Sequence, residues 1–93
     1  MNKILEKVPP IGTTLEITLP TDSGDLLFDA VIINRWLLNP GNSTTIGVAI
    51  MLVSGVFPVK FEPVLTYHIT VDAWTMDVKE SGRSRRQTIG VAY

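Results

Sequence analysis

Hydrophobic residues in this chain recur mostly at every second position, and turn-forming residues cut the pattern at fairly even intervals. From Thr14 to Leu19, Leu15, Ile17 and Leu19 alternate with Glu16 and Thr18, which predicts a strand with one face in a core and one in water. Pro20-Thr21-Asp22-Ser23-Gly24 follows with the residues a short hairpin loop uses. Asp25 to Leu38 then places Leu26, Phe28, Ala30 and Ile32 on one side and Leu27, Asp29, Val31 and Ile33 on the other. A helix competes over this segment because Ala, Leu and Ile are dense. The absence of a 3.6-residue period and the β-branched middle favour a strand.

Asn39-Pro40-Gly41-Asn42 predicts a type II turn, with Pro at the fixed-φ position and Gly at the positive-φ position. Thr44 to Val53 is apolar on both parities, as in a central strand covered on both faces. Left bare, Ile46 to Val53 would be an aggregation hazard. Ser54-Gly55 turns the chain into an alternating segment, Phe57 to Phe61. Pro58 and Pro63 have opposite parity, so one ladder cannot run through both; a bulge or break is expected near Pro63 and an exposed edge around Pro58. Val64 to Met76 reads as one long strand, with Tyr67, Ile69, Val71 and Ala73 facing one way and His68, Thr70, Asp72 and Trp74 the other. Residues 80–84 read as a flexible connector and Gln87 to Tyr93 as a closing strand.

About six strands without an internal repeat predict a mainly β single domain over 1–93, a small antiparallel meander barrel or rolled sheet, since closure removes edges. A short N-terminal helix ahead of Val8-Pro9-Pro10 is compatible with this; α+β is the alternative if either terminal segment is helical. Size agrees. A 93-residue chain buries roughly 64% of its extended surface, enough for one core and not two. With no cysteine, disulfides, thiolate zinc sites, iron–sulfur clusters and cysteine nucleophiles are excluded. Met1 to Val8 is too short and too charged for a signal peptide's apolar stretch, and Ile46 to Val59 falls short of the roughly 20 residues of a membrane helix, so a cytoplasmic protein with no membrane contact is expected.

Charge is unevenly placed. Residues 1–78 carry Lys3, Lys7, Arg35 and Lys60 against Glu6, Glu16, Asp22, Asp25, Asp29, Glu62, Asp72 and Asp77; residues 79–93 carry Lys79, Arg83, Arg85 and Arg86 against Glu80 alone. An acidic body thus bears a basic segment. Guanidinium forks suit phosphate or carboxylate, so Lys79, Arg83, Arg85 and Arg86 are the candidate contacts for an anionic ligand or an acidic protein partner. The simpler reading is a solvated loop whose charges protect a strand edge. Nucleic acid is disfavoured by the isoelectric point near 5.7 and by the lack of aromatics beside these arginines.

Catalytic signals are sparse. His68 is the only histidine, and on an unbroken strand Asp72 would lie about 13 Å away, too far for a dyad. No catalytic residue, metal ligand set or cofactor motif is assigned. Trp36 and Trp74 are candidates for a subunit interface or a packed core, and a pocket near His68, Tyr67 and Trp74 is the alternative, that of a small enzyme or ligand-binding barrel. Ile11-Gly12-Thr13 through Val53 resembles the back half of a PilZ domain, the bacterial cyclic-dinucleotide barrel, with Asn42, Thr44 and Gly47 fitting a loosened form of its Asn/Asp-x-Ser-x-x-Gly element. The arginine pair that should precede the barrel is missing, and Arg83, Arg85 and Arg86 come after it, so the likeness covers under half the chain and assigns no family.

Large apolar residues on both parities of two strands exceed what one inner face can hide, so a second layer must cover them, either a terminal helix or a second copy of the chain. The expectation is a homo-oligomer, most simply a homodimer, with Trp36 or Trp74 near the contact. Its expected role is a small non-enzymatic binding or assembly module.

Overall fold

The computed structural model describes residues 3–38, 44–55, 61–80 and 82–93. Strands β1 (Thr14–Thr21), β2 (Gly24–Leu37), β3 (Thr45–Gly55), β4 (Phe61–His68), β5 (Ala73–Glu80) and β6 (Arg83–Ala92) form a closed antiparallel barrel in meander order. Helical content among the described residues is confined to two 3-10 turns, Leu5–Lys7 and Ile69–Val71, so the fold is all-β. The Asn39–Asn42 turn and the Pro58 edge lie outside the described residues.

The inward rows are those of the alternation. Leu15, Ile17 and Leu19 of β1 face Phe28, Ala30 and Ile32 of β2 and Ile46, Val48 and Ile50 of β3, all buried. Each large aliphatic chain so enclosed contributes about 1.5–3 kcal/mol. The segment expected over Asp25 to Leu38 is strand, not helix, as far as Leu37.

Two register shifts interrupt the β2–β3 ladder, one between Asp29 and Ala30 and one between Ile32 and Asn34. Each leaves an extra residue, Val53 on β3 and Ile33 on β2, and both side chains stay outside, at 59% and 49% exposure. The apolar excess of these strands is therefore only partly covered. Gly47 is buried beneath Trp36, whose indole lies so close that a Cβ at this position would meet it at 2.5 Å, whereas Met51 remains 57% exposed. Coverage on both faces of β3 holds at Gly47 and fails at Met51 and Val53.

The long strand expected over Val64–Met76 does not exist. The chain reverses through the 3-10 turn at Ile69–Val71, with Asp72 in the left-handed region at φ 48°, which Asp tolerates better than most residues. The reversal puts Tyr67 opposite Trp74, so both rings point inward, 5.0 Å apart. A register shift between Phe61 and Leu65 marks the expected bulge around Pro63.

The flexible connector at 80–84 is likewise corrected. Glu80 pairs with Arg83, and Gly82 at φ +77° makes the tight reversal possible, so β6 begins at Arg83 rather than near Gln87. The barrel closes where Glu16, Ile17 and Thr18 pair with Ala92, Val91 and Gly90. At the strand ends away from the β5–β6 turn, the first 3-10 turn seats Val8 in the core, and Arg35 Nη1 donates to the carbonyls of Leu5 (2.9 Å), Val8 (3.1 Å) and Pro9 (3.4 Å).

Candidate functional site

Lys79, Arg83, Arg85 and Arg86 lie not on a loop but on the β5–β6 hairpin. Among the described residues, β6 from Arg83 to Ile89 has a neighbour only in β5, because its pairing with β1 covers Gly90 to Ala92. β4 accompanies β5 as far as Val78, which pairs with Phe61, so among the described residues the hairpin runs on as two strands alone only beyond Val78 and Arg85, and this tip forms an arm. Alternation divides its cations between two faces. Arg85 pairs with Val78, and Arg83 shares its parity; Arg86 pairs with Asp77, Lys79 pairs with Ser84, and these occupy the outer face. Arg86 Nε lies 3.5 Å from Asp77 Oδ1 with both side chains well exposed, a pair worth at most about 1 kcal/mol. Arg85 Nη2 donates to Gln87 Oε1 at 3.1 Å, which holds its guanidinium along the strand.

On the outer face of β6, β1 and β2 lies a groove of about 520 Å³, lined by Glu16, Thr18, Leu27, Asp29, Gly90 and Ala92 together with the residues between them. Glu16 and Asp29 are directly opposite one another in the β1–β2 ladder, as are Thr18 and Leu27. Ser54 Oγ donates to Asp29 Oδ2 at 3.0 Å. Leu27 is 63% exposed. Each acidic residue was visible in the sequence, but their facing one another depends on the hairpin register.

His68, Tyr67 and Trp74 do not converge on a common pocket. Tyr67 and Trp74 pack inside the barrel, and the Tyr67 hydroxyl donates to Asp72 Oδ1. That bond, reinforced by burial and by the nearby carboxylate charge, pushes the Tyr67 phenol up to about 12. His68 has the opposite parity, and its Nε2 lies 3.0 Å from Thr75 Oγ1. The 13 Å separation argued for His68 and Asp72 assumed an unbroken strand and falls with it; the Asp72 carboxylate is bound to Tyr67. Trp74 lies inside, so Trp36, half-buried across Gly47, is the tryptophan on the outer face.

Among the described residues no three metal-ligating side chains gather, and no helix is long and apolar enough to cross a membrane. No family model, curated protein or solved structure matches the chain. Of the residues behind the PilZ resemblance, Asn42 lies outside the described residues and Gly47 has a local structural role beneath Trp36.

Proposed function

We propose that this protein is a non-enzymatic binding and assembly module that works as a homo-oligomer and uses the β5–β6 arm to contact an anionic ligand or an acidic protein surface. The observation that carries this reading is the gathering of Lys79, Arg83, Arg85 and Arg86 at the tip of the β5–β6 hairpin, on a barrel whose remaining charge is acidic. Regular strand geometry fixes the spacing of the guanidinium groups, so less side-chain freedom is lost on binding than from a disordered loop. Exposed Met51, Val53, Ile33 and Leu27 on β2 and β3 support the oligomeric part, since a contact between copies would take such large apolar side chains out of water.

Thermal-shift titration with inorganic polyphosphate, ATP and an acidic peptide tests the anion part. A ligand at a hundred times its Kd stabilises the fold by about 2.7 kcal/mol. The parent chain is expected to gain stability with at least one of these, and the Arg83→Glu/Arg85→Glu/Arg86→Glu variant to gain none. Equal response of both chains removes the arm from the account.

A further inference from the structure

The outward side chains of β6 form one row, Ser84, Arg86, Thr88, Gly90 and Ala92. This row joins an acidic groove to an arm end whose outer face carries Lys79 and Arg86 against Asp77. Arg86, with Lys79 on the neighbouring strand, stands at the arm end; Gly90 and Ala92 floor the groove walled by Glu16, Asp29 and Leu27. Arg86 and Gly90 are about 13 Å apart along a single strand. Because β6 runs unbroken through both, the arm cannot fold back onto its own groove. Any pairing of Arg86 with Glu16 and Asp29 is therefore a pairing between two molecules.

The groove also has a cost that an uncovered surface does not explain. Like charges directly opposite in an antiparallel ladder are destabilising, and Glu16 and Asp29 are such a pair. The Ser54 hydroxyl holds one of them in place. Beside them Leu27 and the bulged Val53 present apolar surface to water.

We infer that this face is where two copies of the chain meet, related by a two-fold axis near Thr88, so that Lys79 and Arg86 of each copy lie over Glu16 and Asp29 of the other. The inference rests on the assembly reading above and names its partner: the acidic groove of a second copy. A two-fold axis at the middle of the row satisfies both of its ends at once, and closed two-fold dimers are the commonest soluble assembly. Lys79 and Arg86, the latter shared with its own Asp77, meet Glu16 and Asp29 of the other copy, and Leu27 of each copy becomes covered. Arg83 and Arg85, on the arm's other face, stay available for an anionic ligand.

Sedimentation velocity over a micromolar-to-millimolar range tests this with two charge reversals, Glu16→Lys/Asp29→Lys in the groove and Lys79→Glu/Arg86→Glu on the arm. The parent is expected at twice the 10.2 kDa chain mass, dissociating as salt is raised. Either reversal alone is expected to weaken self-association by about 100-fold or more, because like charges then face each other. Mixing the two reversed chains restores a dimer, since each arm then meets a groove of opposite sign, and one chain carrying all four changes again dimerises by itself. Glu16→Lys alone separates lost docking from lost folding: relieving the Glu16–Asp29 repulsion raises the melting temperature of the monomer while association falls. A dimer that persists in both reversed chains, or reversed chains that stay monomeric when mixed, overturns the two-fold docking and leaves the assembly reading standing. A parent chain monomeric throughout overturns both.

Discussion

Arg35 is the residue whose replacement tests the architecture most directly. Its Nη1 carries two hydrogens and faces three carbonyls, so the contacts to Leu5 at 2.9 Å and Val8 at 3.1 Å count as full bonds and that to Pro9 at 3.4 Å as a shared one. A hydrogen bond with a charged partner contributes about 1.5–3 kcal/mol, and the site is only partly buried. Arg35→Met keeps the aliphatic stem but removes every donor, leaving carbonyls near a turn whose Val8 is in the core. The expected loss is about 2–4 kcal/mol from two such bonds, discounted for water access. For a chain this size that corresponds to a fall in Tm of roughly 10–25 °C. Arg35→Lys, with donors on a single nitrogen, should recover about half of the loss. Urea unfolding gives the free energies, and hydrogen exchange reports locally, with the amides of Val8 and Gly12 losing protection in Arg35→Met before those of β3. A change below about 0.5 kcal/mol with those amides still protected would show that the segment is held by Val8 packing alone.

The phenol of Tyr67 predicts a pH window. Its pKa in the fold, about 12, lies above the ordinary 10.0, so the bond to Asp72 stabilises the native state fully below pH 10, and that contribution is lost as pH rises towards 12. Tyr67→Phe should flatten the stability profile across that window, and absorbance titration of the parent should show one tyrosine ionising near pH 12. Gly47→Ala places a methyl 2.5 Å from the Trp36 ring and must displace it; the expected cost is about 1–3 kcal/mol with a red-shifted tryptophan emission, while unchanged emission would mean that the indole does not lie on Gly47. Gly82→Val at φ +77° should loosen the arm, visible as faster exchange of the Lys79 and Arg83 amides with the barrel amides unaffected.

The inward rows of β1 and β2 could be read from the chain because strict alternation and one buried face specify the register. Leu15, Ile17, Leu19, Phe28, Ala30 and Ile32 all lie where that pattern puts them. The reversal at Ile69–Val71 was hidden because Ile, Thr and Val are strand formers and neither Gly nor Pro marks the turn; Asp72 was its one local sign. The arm was missed for the opposite reason, since Ser, Gly and charged residues suggest a loop even where a two-residue turn lets them pair. The groove was beyond local reading altogether. Glu16 and Asp29 meet because the β1–β2 hairpin pairs Thr21 with Gly24, and Gly90 joins them through barrel closure.

Among the described residues, Glu16, Ile17 and Thr18 alone pair β1 with β6, and these partners are more than seventy residues apart along the chain. Contacts that enclose so long a loop carry the greatest entropic penalty and form late in folding. Glu16, Thr18, Gly90 and Ala92 also border the groove, so whatever lodges there straddles the last stitches and acts as a clasp on the cylinder. Occupancy should therefore slow unfolding of the whole molecule, and a vacant groove should let the two terminal strands part first.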